Sequence, residues 1–191
     1  MAQQGWTVDL TKCTGCHTCE IACKAENNTF PQQSPLGLEH DFEAEQVNWR
    51  RVLEVESGSF PLVRRAFYSV SCNHCADPAC LAACPVGSIT KRSEDGVVLI
   101  DQETCIGCRY CEAVCPYGAP QFNAQTGKVE KCTACVHRLD AGLLPACADA
   151  CLGRALHWVD EVSPGTEVPP GFADPALTNP SIRWIRDKVH G

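Results

Sequence analysis

Hydrophobic positions along the chain fall in short alternating runs, not in long amphipathic helices. Trp6 to Leu10, Phe67 to Val70 and Val97 to Ile100 read as strands, the last following a turn signal at Asp95-Gly96. Asn48 to Glu56, with Trp49, Val52, Leu53 and Val55, predicts another. Glu20-Ile21-Ala22 and Glu112-Ala113-Val114 suit the start of brief helices. Residues 27–66 open in a turn-rich stretch (Pro31, Pro35, Gly37) and read as an insertion bracing the rest. From Glu161 onward the prolines 164, 169, 170, 175 and 180 interrupt any period until Ile182-Arg183-Trp184-Ile185, which predicts an extended arm. Its apolar residues Phe172, Trp184 and Ile185 fit two readings: folding back over this chain's own core, or docking onto a partner chain.

No run approaches the roughly 18 apolar residues of a membrane helix. The start, Met1-Ala2-Gln3-Gln4-Gly5-Trp6, lacks a basic region followed by an apolar core, so neither a direct membrane span nor an export signal is expected. The length of 191 residues fits one domain or two small ones. With 16 Lys and Arg against 23 Asp and Glu, the formal net charge is -7, and no basic run offers phosphate neutralisation, so nucleic acid is not an expected partner.

Composition changes the picture at one residue type. The 16 cysteines fall into four groups of four: Cys13, Cys16, Cys19, Cys23; Cys72, Cys75, Cys80, Cys84; Cys105, Cys108, Cys111, Cys115; and Cys132, Cys135, Cys147, Cys151. The first and third share the spacing CxxCxxCxxxC. Aligning Val8–Cys23 with Ile100–Cys115 matches Asp9 to Asp101, Gly15 to Gly107, Glu20 to Glu112 and all four cysteines, which makes an internal repeat. Pro78-Ala79-Cys80 and Cys84 are echoed by Pro145-Ala146-Cys147 and Cys151. The order is therefore A-B-A′-B′.

Three uses of so many cysteines compete. Disulfide scaffolds rarely repeat CxxC, because so small a closed loop removes little unfolded-state entropy. Structural zinc sites usually join two pairs of cysteines, and three thiolates on one short loop do not suit that geometry. CxxCxxCxxxC followed by proline, as at Cys115-Pro116, matches the bacterial ferredoxin run, whose first three thiolates hold one [4Fe-4S] cube while the fourth ligates another. A CxxCxxC loop can wrap three corners with its amides turned toward the anionic sulfides, and the last corner must come from elsewhere.

That swap forces groups to work in pairs. Cys84 and Cys105 are separated by a short hairpin, giving Cys105, Cys108, Cys111 with Cys84, and Cys72, Cys75, Cys80 with Cys115. The first and fourth groups then serve each other: Cys13, Cys16, Cys19 with Cys151, and Cys132, Cys135, Cys147 with Cys23. Their fourth cysteines precede Lys24 and Leu152, whereas the other two precede Pro85 and Pro116. Four clusters, each fully ligated by thiolates, would exchange single electrons and bind no substrate. The expected role is electron relay, with no catalytic residue in this chain.

Other residues carry weaker signals. His17, His74 and His137 lie in or beside cysteine loops and could replace a ligand, tune a potential, or simply sit beside the ligands or at the surface. Arg109, Lys24 and Lys131 could offset cluster charge or be ordinary solvated cations. Trp6, Trp49, Trp158 and Trp184 read as packing or interface residues.

Ser71-Cys72-Asn73-His74-Cys75-Ala76-Asp77-Pro78-Ala79-Cys80, Cys105-Ile106-Gly107-Cys108-Arg109-Tyr110-Cys111 with Cys115-Pro116-Tyr117-Gly118-Ala119-Pro120-Gln121-Phe122-Asn123, and Lys131-Cys132-Thr133-Ala134-Cys135 resemble the iron–sulfur subunit of the dimethyl sulfoxide reductase family of molybdopterin oxidoreductases. The resemblance covers about residues 6–160 and matches at every cysteine. Nitrate-reductase members carry tryptophan in place of one cysteine; this chain does not. The resemblance implies a four-cluster wire between a molybdopterin (molybdenum or tungsten) catalytic subunit and an integral-membrane quinone-reactive subunit. It also implies a peripheral place on the bacterial cytoplasmic membrane through those partners, on either side. The alternatives are a polyferredoxin of a hydrogenase or other redox complex, and a zinc-stabilised interaction module.

The expected fold is α+β: two pseudo-symmetric double-cluster ferredoxin modules, one discontinuous (1–26 plus 127–160) and one continuous (67–126). The β-rich insertion is 27–66, and the extended C-terminal arm is 161–191. Four oxidised cubes with their thiolates, at about −2 each, would move the charge from -7 to about −15.

Overall fold

The computed structural model describes residues 3–27, 29, 47–162, 168–169 and 171–185. The turn-rich stretch at Pro31, Pro35 and Gly37 lies outside them. Mixed small helices and two- or three-stranded sheets alternate along the chain, as expected of a ferredoxin-type architecture.

β1 (Gly5–Asp9) is central to the largest sheet. It pairs antiparallel with β8 (Leu156–Val159), placing Trp6 opposite Trp158. On its other side it pairs parallel with β9 (Ile182–Ile185), placing Val8 opposite Trp184. Within the described residues, the C-terminal arm therefore supplies a strand to the chain's own core. Alternation explains it: Ile182 and Trp184 face inward while Arg183 and Ile185 face out. A parallel edge needs a remote partner, which local pattern does not reveal.

β2 (Arg50–Ser57) and β3 (Arg64–Ser71) form one antiparallel hairpin, in register from Arg50 opposite Ser71 to Ser57 opposite Arg64. The strand expected in the insertion and the strand expected before the second cysteine group are thus partners. β4 (Ile89–Lys91) pairs with β5 (Val98–Ile100), and β6 (Gln121–Asn123) with β7 (Lys128–Glu130). The longest helix, α1 (Thr18–Asn27), starts on the first cysteine loop. The other four are single turns beside cysteines: α2 (Ala79–Ala82), α3 (Tyr110–Val114), α4 (Val136–Leu139) and α5 (Ala146–Asp149).

Two apolar cores result. The larger joins Trp6, Val8, Tyr68, Val70, Val97, Leu156, Trp158, Ile182 and Trp184 with Cys19, Cys72, Cys132 and Cys147. The smaller holds Ile89, Val98, Val129, Cys105 and Cys111. Among the described residues no helix is long and apolar enough to cross a membrane.

Candidate functional site

The cysteine loops owe their shape to residues that tolerate left-handed backbone. Gly15 and Gly107 both sit at φ +69, followed two residues later by His17 (φ 58) and Arg109 (φ 65). Each of the latter is tethered to the first turn of the helix that follows, His17 Nδ1 to Glu20 at 2.8 Å and Arg109 Nε to Glu112 at 2.7 Å. Space also demands glycine, since a Cβ at Gly107 would lie 2.1 Å from the Gly127 carbonyl oxygen.

Two cavities each gather three cysteines from one group and one from another. Cys72, Cys75, Cys80 and Cys115 line one cavity of about 370 Å³, solvent-side space included. Cys13, Cys16, Cys19 and Cys151 line a second of about 390 Å³. Cys132, Cys135, Cys147 and Cys23 are all buried where α1 meets α5. Cys23 lies within electrostatic reach of Cys147 and Cys135. Asn27 Nδ2 stands 3.8 Å from the Cys23 sulfur and 3.9 Å from that of Cys135, bridging the two chain segments. In the smaller core, Cys105 and Cys111 are buried, Cys84 packs against them, and Cys108 is exposed but within electrostatic reach of Cys111.

Hydrogen-bond donors gather at the sulfurs. Burial works against a thiolate at Cys84, but the Ser88 hydroxyl and the Val86, Ser88 and Ile89 amides outweigh it and lower its pKa. The Ser88 oxygen is 3.1 Å from the Cys84 sulfur. At Cys115 the same kind of turn presents the Ala119, Tyr117 and Gly118 amides, although burial still raises the thiol. Proline after each of these cysteines fixes φ for the turn. Where proline is missing, a single amide suffices at Cys151, from Ala155 at 3.3 Å, and the Asn27 side chain serves Cys23.

Burial raises most of the remaining thiols: Cys23, Cys75 and Cys80 reach about 12 and Cys111 about 11, while Cys13, Cys19, Cys132 and Cys147 also move up. Cys16, exposed and bonded to the Thr18 hydroxyl, is lowered. Thiols so placed become thiolates only against a strong electrophilic centre, which is what iron provides.

A [4Fe-4S] cube fits this donor set better than single ions do. A zinc site would draw four sulfurs to about 2.3 Å from one point. Among the described residues no three His, Cys, Asp or Glu side chains converge in that way. Eight of the cysteines stand around the two cavities instead.

The structure separates the cations that the sequence singled out. Lys131 is buried, its ammonium donating to the carbonyls of Val98 and, at 3.2 Å, Cys132. Arg109 is tied to Glu112 and lies over the Phe122 ring at the surface. Lys24 is half-buried and donates to the Thr29 carbonyl. His74 is fully buried, accepts from the Val98 amide at 3.0 Å, and is kept neutral chiefly by burial. His137 is exposed and paired with Glu26 at 2.8 Å. Two lysines not singled out also cap loop carbonyls: Lys91 at Cys75 (2.9 Å) and Lys128 at Cys105. Arg50, likewise missed, is 2 % exposed beneath Trp6.

Comparison with known proteins gives a consistent picture. Residues 63–161, just over half of the chain, match a family described as a 4Fe-4S dicluster domain. The chain is 43% identical over 164 residues to YnfG, a probable anaerobic dimethyl sulfoxide reductase chain of Escherichia coli (strain K12), covering 82% of this chain and 73% of that one. Identity is 42% over 173 residues with the corresponding chain of the anaerobic dimethyl sulfoxide reductase of Haemophilus influenzae, covering 85% and 77%. It is 39% over 176 residues with a subunit of the sulfite dehydrogenase of Allochromatium vinosum, covering 88% and 73%.

Proposed function

This protein belongs to the iron–sulfur electron-transfer subunits of the dimethyl sulfoxide reductase family, which are not themselves catalytic, and from that membership we propose that it carries four [4Fe-4S] clusters as a linear wire. The ligand sets are Cys105, Cys108, Cys111 and Cys84; Cys72, Cys75, Cys80 and Cys115; Cys132, Cys135, Cys147 and Cys23; and Cys13, Cys16, Cys19 and Cys151. The first two sets form one ferredoxin module (67–126), and the last two form its pseudo-symmetric, discontinuous counterpart (1–26 plus 127–160). Residues 27–66 insert between them, and 161–191 form the arm.

The observation that carries this reading is the pair of cavities, each walled by three cysteines of one loop and one of another. A cube so ligated takes up or releases one electron with no bond made or broken in the chain. The chain's own task is to hold four such groups in line and exclude water from the inner ones. Contact between sets supports the order given. Cys80 packs against the smaller core and Cys115 against the larger, so the second set spans both. Cys132 lies within electrostatic reach of Cys72 on one side and Cys23 on the other, and Cys19 is within reach of Cys23 and Cys147.

The two terminal sets are also the exposed ones. Cys108 lies at the surface beside Ile106 (61% exposed) and Tyr110 (59%), and Cys16 lies at the surface of a set whose other loop carries Leu152 (76%). Apolar surface beside an exposed ligand at each end suits docking to two partners. We assign these as a molybdopterin catalytic subunit and an integral-membrane quinone-reactive subunit, which would keep the chain peripheral on the membrane. Iron and acid-labile sulfide analysis of the purified complex tests the cluster number. About sixteen iron per chain is expected, and about four would overturn it.

A further inference from the structure

Arg50 opens β2 and is almost wholly buried, yet it makes no ion pair with any carboxylate among the described residues. Its Nη1 donates to the Ser69 hydroxyl at 3.0 Å and its Nη2 to the Ser71 hydroxyl at 2.8 Å. The guanidinium carbon lies 4.1 Å from the centre of the Trp6 ring, itself fully buried. Two serines and an indole are neutral. A buried cation with only neutral partners is costly by several kcal/mol unless an anion stands nearby.

Each contact leads toward cysteine. Ser69 Oγ is also 3.4 Å from the Cys19 sulfur, Ser71 Oγ is 3.4 Å from the Cys72 carbonyl, and Trp6 Nε1 donates to that carbonyl at 3.2 Å. The charge of the guanidinium is felt at the buried thiols of Cys147, Cys132, Cys19 and Cys23. Lys131, the other buried cation here, donates to backbone carbonyls.

We propose that Arg50 is the counter-charge of the buried half of the wire, a positioning residue that raises the potential of the cluster at Cys13, Cys16, Cys19 and Cys151, to whose Cys19 sulfur it is joined through the Ser69 hydroxyl, and of the adjoining cluster held by Cys23, Cys132, Cys135 and Cys147. The inference rests on the four-cluster reading. A positive charge fixed beside an anionic centre favours the added electron, so its removal lowers the midpoint potential. The far cluster, at Cys84, Cys105, Cys108 and Cys111, is in the other core and lies outside this influence.

The test is an EPR-monitored redox titration of the native complex carrying the wild-type chain, Arg50→Gln or Arg50→Lys, with iron counted on each sample. Components are assigned with Cys135→Ser, Cys16→Ser and Cys108→Ser. Wild type with fewer than four titrating components fails the four-cluster reading, whatever Arg50 does. Given four, and with iron retained, Arg50→Gln is expected to shift the Cys135-assigned and Cys16-assigned components downward and the Cys108-assigned component not at all, and Arg50→Lys to recover part of the shift. Unchanged potentials, or equal shifts in all components, overturn the proposal. If Arg50→Gln does not load iron, Arg50→Lys decides. A downward shift confined to the Cys135-assigned and Cys16-assigned components supports the charge role, and unchanged potentials or a failure to load overturn it.

Discussion

Asp9 and Asp101 hold the same turn at equivalent points of the internal repeat. Asp9 Oδ1 accepts from the Thr11 amide at 3.0 Å and the Thr11 hydroxyl at 2.6 Å. Asp101 Oδ1 accepts from the Glu103 amide at 3.0 Å, and its Oδ2 from the Thr104 hydroxyl. In each copy the turn delivers the chain from a strand into the cysteine loop, so a carboxylate that competes for backbone donors stops the strand where the loop must begin.

Asp9 differs in being buried and in pairing with Lys12 at 3.0 Å. The Thr11 hydroxyl, more than Lys12, holds its carboxyl below the usual value. A depressed native pKa adds stability that is present above the unfolded pKa, near 3.8, and is lost as pH falls through the native value. Asp9→Asn should therefore lower stability by about 1 kcal/mol at neutral pH. Its melting temperature should converge with that of wild type as the pH drops below about 4. A gap that persists in acid would mean that the charge is irrelevant.

Gly107 and Gly87 separate two meanings of glycine near one cluster site. Both have positive φ, +69 and +66, but a Cβ at Gly107 would strike the Gly127 carbonyl, whereas at Gly87 it would meet nothing within 4 Å. Gly87→Ala should cost about 1–2 kcal/mol of backbone strain and keep its iron. Gly107→Ala must move a backbone segment as well, and is expected to lose about four iron per chain along with one EPR component. Equal iron content in the two variants would refute the steric account.

Trp184 reports on the arm. It is 5% exposed, edge-on to Tyr68 and to Phe172 with ring centres 5.7 Å away in both cases, and carried by a strand paired to β1. Trp184→Ala should destabilise the isolated holo-chain by about 3–5 kcal/mol. Phe60, 92% exposed in the connection between β2 and β3, should tolerate Phe60→Ser within about 0.5 kcal/mol. Thermal melts of the two variants check both. A neutral Trp184→Ala would mean that the arm does not stabilise the core.

These sites also show how far the sequence could be read. The cysteine spacing is local and chemically strict, so the grouping, Gly15 with Gly107 and Asp9 with Asp101 are visible in the letters alone. The brief helices after the first and third loops are visible for the same reason, although α1 runs to Asn27, beyond the three residues that suggested it. What escaped was non-local. β9 has no signature saying that its partner is β1, because parallel pairing joins remote segments. Arg50 looks like one of two ordinary arginines in Arg50-Arg51, and nothing nearby tells which is buried. Only the alternation of the strand under Trp6 decides, turning Arg50 inward and leaving Arg51 to donate to the Tyr117 and Gly118 carbonyls.

Cys19 and Cys23 lie one helical turn apart on α1, both buried, yet are assigned to different clusters. Cys19 lines the cavity with Cys13, Cys16 and Cys151, whereas Cys23 shares the Asn27 amide with Cys135. Helix geometry sets about 1.5 Å of rise per residue, so one turn carries the second thiol roughly 6 Å along the axis, past the edge of one cube and toward the next. Cys19→Ser and Cys23→Ser should therefore extinguish or alter different EPR components. Cys151→Ser should reproduce the first and Cys147→Ser the second. With oxygen replacing sulfur at one corner, each variant is expected to perturb one cluster and leave about twelve iron or more per chain. If Cys19→Ser and Cys23→Ser changed the same component, α1 would serve a single site and the exchange of fourth ligands between the first and last cysteine groups would be wrong.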